Sequence, residues 1–179
     1  MSTQVDKSLI AAASNVLSHA TQDEVGADFQ LAGLRAMAQQ ALQNIDGDVA
    51  AVRPVFEDGK NGHDYARQFV QWREKPPAMS AVLLAAAETL KLDAADPAVV
   101  AAALASFAAD VPLNNAYHDN SHFREVTAMM AVYCNVNQQL AAQGAGNVVT
   151  LSGADMAKCV LAAMGHDLLH NGGGNTVDG

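Results

Sequence analysis

Two histidine clusters constrain this chain more than any other feature. The first is Tyr117-His118-Asp119-Asn120-Ser121-His122. The second is His166-Asp167-Leu168-Leu169-His170-Asn171-Gly172-Gly173-Gly174-Asn175. Each places two histidines four residues apart, the interval that stacks side chains on one helix face. The first cluster opens a long run of helical apolar spacing and the second closes another, so His122 and the His166-Asp167 dyad fall on separate predicted helices. A core-facing imidazole needs a partner. That requirement is met when the two helices pack together, as in metal sites built between bundle helices.

Composition narrows the architecture. At 179 residues the chain fits one domain with a sizeable core. Half of it is hydrophobic, with abundant alanine and few aromatics, which favours closely packed helices over a sheet rich in aromatic and β-branched residues. The expectation is all-α, with no repeat and no strand. Helical patterning runs from about Val5 to His19 and again from Asp23 to Asn44, a helical hairpin. Residues 45–62 gather Gly47, Pro54, Gly59 and Gly62 with several carboxylates, the composition of a surface connection. This divides the chain into 1–60, hairpin and connection, and 61–179. Further helices fit Asp64 to Glu74, Met79 to Leu92, and Pro97 to Asp110 with Asp96 as N-cap and Pro97 at the first position.

The long helix of about Ser121 to Gln143 carries His122, Val126, Met129, Tyr133, Val136 and Leu140, alternating steps of four and three. That spacing predicts one continuous buried stripe with His122 at its inner end. The last helix opens at Ser152 with Asp155 three residues on, a capping-box-like pair. It continues through Met156, Val160 and Ala163 to the dyad, and Gly172 to Gly174 terminate it.

Neutral imidazole and carboxylate suit zinc, iron, manganese and magnesium, and His122, His166 and Asp167 are the candidate metal ligands. His118, one turn earlier at the helix mouth, is the candidate general acid, with an ordinary imidazole pKa near neutrality. A bound cation lowers the pKa of water, which then serves as nucleophile. The formal charge of -9, with only ten Lys and Arg, excludes a nucleic-acid footprint, which needs clustered basic residues. Divalent cations would supply the positive charge that an anionic substrate requires.

Other features read as structure. Cys134 and Cys159 match neither a zinc ribbon nor a redox pair and are expected as buried free thiols. His63-Asp64 also spells a dyad but follows Gly62 and begins a helix, and His19 is expected at the surface. No basic n-region precedes the apolar stretch from Leu9 to Leu17, which Ser14 and Asn15 interrupt, and the alanine-rich runs at 81–87 and 98–109 are too short to span a bilayer. A soluble, cytoplasmic chain without a membrane partner is the expectation.

At the two clusters the chain resembles the HD-domain metal phosphohydrolases, most closely the catalytic domain of the class I 3′,5′-cyclic nucleotide phosphodiesterases. That family carries Tyr-His-Asn-x-x-His at the start of one helix and His-Asp-x-x-His-Pro-Gly-x-x-Asn at the end of a later one. Tyr117, His118 and His122 match the first; His166, Asp167, His170, Gly172 and Asn175 match the second. The resemblance covers about Phe107 to Asn175. Asp119 stands where the family has Asn, and Asn171 where it often has Pro.

The resemblance implies a multi-helix phosphodiesterase-like bundle and two catalytic histidines, His118 to protonate the leaving O3′ and His170 to bond second-metal waters. It implies that His122, His166 and Asp167 hold the tighter metal, zinc, iron or manganese, with Asp167 also touching a second, magnesium or manganese. The family's further aspartate ligand and base-clamping residues lie beyond its second motif, so the chain is expected to be the N-terminal part of a longer enzyme. The expected function is metal-dependent hydrolysis of a small-molecule phosphoester, closest to a 3′,5′-cyclic nucleotide. The alternatives are hydrolysis of another nucleotide, or a catalytically silent metal-binding helical domain used for structure, sensing or a partner. An oligomer is compatible with each.

Overall fold

The computed structural model describes residues 7–20, 31–112 and 119–168. Among them lie α1 (Ser8–His19), α2 (Leu31–Val52), a 3-10 turn (Arg53–Phe56), α3 (Gly62–Glu74), α4 (Met79–Leu90), α5 (Pro97–Ala109), α6 (Asn120–Ala142) and α7 (Gly153–Gly165). The described residues form no strand, and the fold is an all-α bundle. None of the described helices is long and apolar enough to cross a membrane.

The chain's centre is α4, in which every residue from Met79 to Ala86 is buried. A helix apolar on all sides requires cover on all sides, and α2, α5, α6 and α7 provide it. Alanines at the crossings, Ala81, Ala85 and Ala86 on α4 with Ala102 and Ala103 on α5, are buried and keep the backbones close. Phe107 and Phe123 fill the remaining space at 0% exposure, each contributing about 1.5–3 kcal/mol of burial free energy.

Several helix starts follow their sequence signals. The Asp96 side chain accepts from the Ala98 amide at 2.8 Å, with Pro97 at the first helical position. Ser152 and Asp155 form a reciprocal capping box at α7. Asn61 and Asp64 do the same at α3, so the His63-Asp64 dyad belongs to a cap. His19 is exposed, its Nδ1 2.8 Å from the Asn15 carbonyl oxygen.

Two expectations require correction. Residues 45–52 are not a surface connection, because α2 runs through them to Val52, with Ile45, Val49, Val52 and the following Val55 all at 0% exposure. The spacing of these residues preserves the apolar face of the preceding turns. Gly47 faces open space on the other side, and Pro54 sits at the start of the 3-10 turn, where it costs no helical hydrogen bond. The proposed start at Asp23 lies outside the described residues.

The second correction concerns the phase of α6. The face that enters the core is Phe123, Arg124, Thr127, Ala128, Ala131 and Cys134. The expected core stripe looks outward instead: Tyr133 is 75% exposed, Val136 and Leu140 are exposed, and Val126 and Met129 are half-buried. Small residues decide this. Ala128 and Ala131 let α6 lie close to α4 and α7, whereas a stripe of Met, Tyr and Leu would hold those helices apart.

Candidate metal centre

The site begins with the anchoring of α6. Asp119, where the resembled family has Asn, caps that helix, its Oδ1 accepting from the Ser121 and His122 amides, both at 2.9 Å. A carboxylate there also meets the positive end of the helix dipole. Asn120 donates to the carbonyl oxygens of Ala109 and Val111, tying the start of α6 to the end of α5. Two residues beyond His122, Arg124 turns inward and donates to the carbonyl oxygens of Pro77 and Asn120 and to the Asp110 carboxylate. Asp110 also accepts from the Met79 amide at 2.9 Å, at the start of α4. Burial pushes the Asp110 carboxyl up, opposed by the Arg124 guanidinium, and burial likewise lowers Arg124. This clamp fixes α6 to α4 and α5, and thereby sets the direction in which His122 projects.

The other half of the site is carried by α7, whose Met156, Val160, Ala163 and Met164 are buried. The helix ends at Gly165, and His166 and Asp167 emerge in the closing turn. His166 Nδ1 lies 2.7 Å from the Ala163 carbonyl oxygen. A carbonyl can only accept, so Nδ1 carries a ring proton, and the neutral ring that a metal requires presents its lone pair at Nε2. The ring is held edge-on by Phe123, with centroids 6.0 Å apart and planes at 86°, and lies 5.2 Å from the His122 ring.

Three donor atoms converge as a result. His166 Nε2 is 3.3 Å from His122 Nε2 and 3.0 Å from Asp167 Oδ2, and His122 Nε2 is 3.6 Å from the same oxygen. Their side chains are 34%, 19% and 13% exposed for His166, His122 and Asp167, accessible at the surface yet held from behind. Among the described residues, these three form the group able to hold a metal ion. A cation with ligand bonds of about 2.0–2.2 Å sets neighbouring donors roughly 2.8–3.1 Å apart in octahedral and about 3.3–3.6 Å apart in tetrahedral geometry. The observed edges span that range, so the donor set and its spacing fit a divalent ion. Two ring nitrogens facing each other at 3.3 Å also need a proton or a cation between them.

The three ligand candidates read from the sequence are therefore brought together across 44 residues of chain. His118 and His170, the candidate catalytic histidines, lie outside the described residues, as do Tyr117, Asn171, Gly172 and Asn175. Sequence reasoning missed the Ala163 carbonyl, Phe123 and the Arg124 to Asp110 clamp. Ala163 was detectable, since a carbonyl three residues before a helix-terminal histidine is within its reach; a lone arginine on a long helix gave no such signal.

Comparison with protein-family models, curated proteins and solved structures gives no match.

Proposed function

We propose that this chain is a metal-dependent phosphoester hydrolase of the HD-domain type, with His122, His166 and Asp167 holding a divalent cation and a 3′,5′-cyclic nucleotide as the first substrate class to test. The observation that carries the proposal is the convergence of three donor atoms at 3.0, 3.3 and 3.6 Å, with the tautomer of His166 set by Ala163. A bound cation of this kind polarises a phosphoryl oxygen and acidifies water. The protein's part is to supply two neutral imidazoles and a single carboxylate, a set that leaves a divalent centre with net positive charge. In a chain of formal charge -9, that local positive charge is what an anionic ester requires. His118 and His170 enter this proposal through the motif resemblance, as proton donor and as partner of second-site waters.

Calorimetric titration with zinc and manganese, on the wild type and on His166→Ala, tests the centre. Loss of a direct ligand is expected to lower affinity more than about 100-fold, beyond the 10- to 100-fold typical of residues that only support a ligand. Metal-dependent hydrolysis of bis(p-nitrophenyl) phosphate and of cyclic nucleotides tests the chemistry. Absence of metal binding, or equal affinity in the variant, overturns the proposal. Tight binding without turnover would favour the silent metal-binding domain instead, a reading that gains from the position of the site, where it ties the start of α6 to the end of α7.

A further inference from the structure

The outward face of α6 and Phe69 of α3 flank an open groove of about 590 Å³, lined by Phe69, Val126, Met129, Met130 and Tyr133, with His122 in its wall. That volume falls in the range of small-molecule sites. Its position is informative because His122 belongs at once to the groove and to the three-donor cluster. Any group attached to a phosphate held at that cluster starts its path beside the groove.

The chemistry of the walls selects the kind of group that can lie there. Phe69 and Tyr133 offer ring faces and edges to a flat group, and the thioethers of Met129 and Met130 adapt to irregular shapes and contact rings favourably. Glu125 also lines the groove, and its carboxylate is held by Arg73 through bonds of 2.8 and 3.0 Å. Its charge is thus already neutralised, so the walls themselves leave the phosphate to the cluster and favour an apolar group.

We propose that the groove between α3 and α6 is the subsite for a planar, apolar ester group whose phosphate is held by His122, His166 and Asp167, and that it makes this chain prefer phosphoesters of flat organic groups over those of small alkyl groups. This rests on the metal-centre proposal and adds to it the class of organic group recognised.

The test uses non-hydrolysable phosphonates, so that it reads binding without turnover. The full chain is first titrated with zinc, and the zinc-loaded chain then with 1-naphthylphosphonate and with methylphosphonate. Burying a naphthyl ring is expected to give about 10- to 100-fold tighter binding. Met129→Gln should bring that ratio close to one with zinc affinity unchanged, and Met129→Leu should restore it. Equal affinity of the two phosphonates on the zinc-loaded wild type overturns the subsite and leaves the metal centre standing. Failure to bind zinc overturns the metal centre, and the subsite with it. Sedimentation of the wild type as a dimer that Met129→Gln dissociates would make the face a contact between copies, and would also overturn the subsite.

Discussion

The two faces of α6 both carry apolar and polar groups and use them in opposite ways. On the inner face Arg124 has each hydrogen-bonded direction met by an acceptor, from Pro77, Asn120 and Asp110, and Phe123, Ala128 and Ala131 are fully buried. On the outer face His122 points its Nε2 at another imidazole nitrogen and a carboxylate oxygen, and the neighbouring apolar residues line an open groove. Donors matched to acceptors close a structure. Two imidazoles and a carboxylate converging on one point could hold a cation, and apolar side chains around an open groove could take a flat group. The first arrangement serves the fold, and the second is where the proposed chemistry would lie.

The largest effect that would break this contrast is at Arg124. Arg124→Met leaves Asp110 buried without its cation, and a loss of about 3–5 kcal/mol in denaturant unfolding is expected. A loss below about 1 kcal/mol would mean that the inner cluster is no more structural than the outer one.

A smaller effect is expected at Cys134, also on the inner face, where burial and the neighbouring Cys159 push the thiol up to about 11. The folded state therefore holds the proton more tightly than the unfolded chain. Stability is present in full below pH 9.0, the ordinary thiol value, and falls as pH rises towards about 11, by roughly 2–3 kcal/mol. The difference in alkaline unfolding between wild type and Cys134→Ala isolates this contribution; identical slopes would contradict it.

The smallest effect belongs to the adjacent residue. Tyr133 is 75% exposed, and Tyr133→Gln should alter stability by no more than about 0.5 kcal/mol. If Tyr133→Gln destabilises as strongly as a core substitution, the outer face is covered in solution and the contrast between faces fails. One-residue neighbours on opposite faces thus give opposite answers to the same denaturation experiment.

The legibility of the sequence divides along the same line. The caps at Asp96 and Ser152 could be read because a single side chain, acting within three residues, specifies each. The convergence of His122, His166 and Asp167 could be read because their combination and spacing on two helices suits a shared metal-ligand group. The phase of α6 could not, because the large side chains of Met129, Tyr133 and Leu140 outweigh Ala128 and Ala131 in any reading of apolar spacing, whereas close helix packing favours the small residues. The continuation of α2 was obscured by Gly47 and Pro54, although Ile45, Val49 and Val52 kept its apolar spacing. The Arg124 to Asp110 clamp was invisible for a different reason: its partners come from three separate elements, and no local pattern joins them.

Helices α6 and α7 are joined at one end through residues 143–152, where Gly144 and Asn147 adopt left-handed backbone conformations, and meet at the other end through the histidines. With 13 residues in α7, the arm from joint to tip is about 20 Å. The pair has the outline of a pair of tweezers, joined at one end and bearing the donor atoms at the other. A change of about 5° in the opening angle would move the tips by roughly 2 Å over such an arm, as much as a whole coordination bond. The separation of the donor atoms at the tips is thus a sensitive gauge of the angle between the arms, and a substitution at the distant joint that altered this angle would shift the donors without touching them.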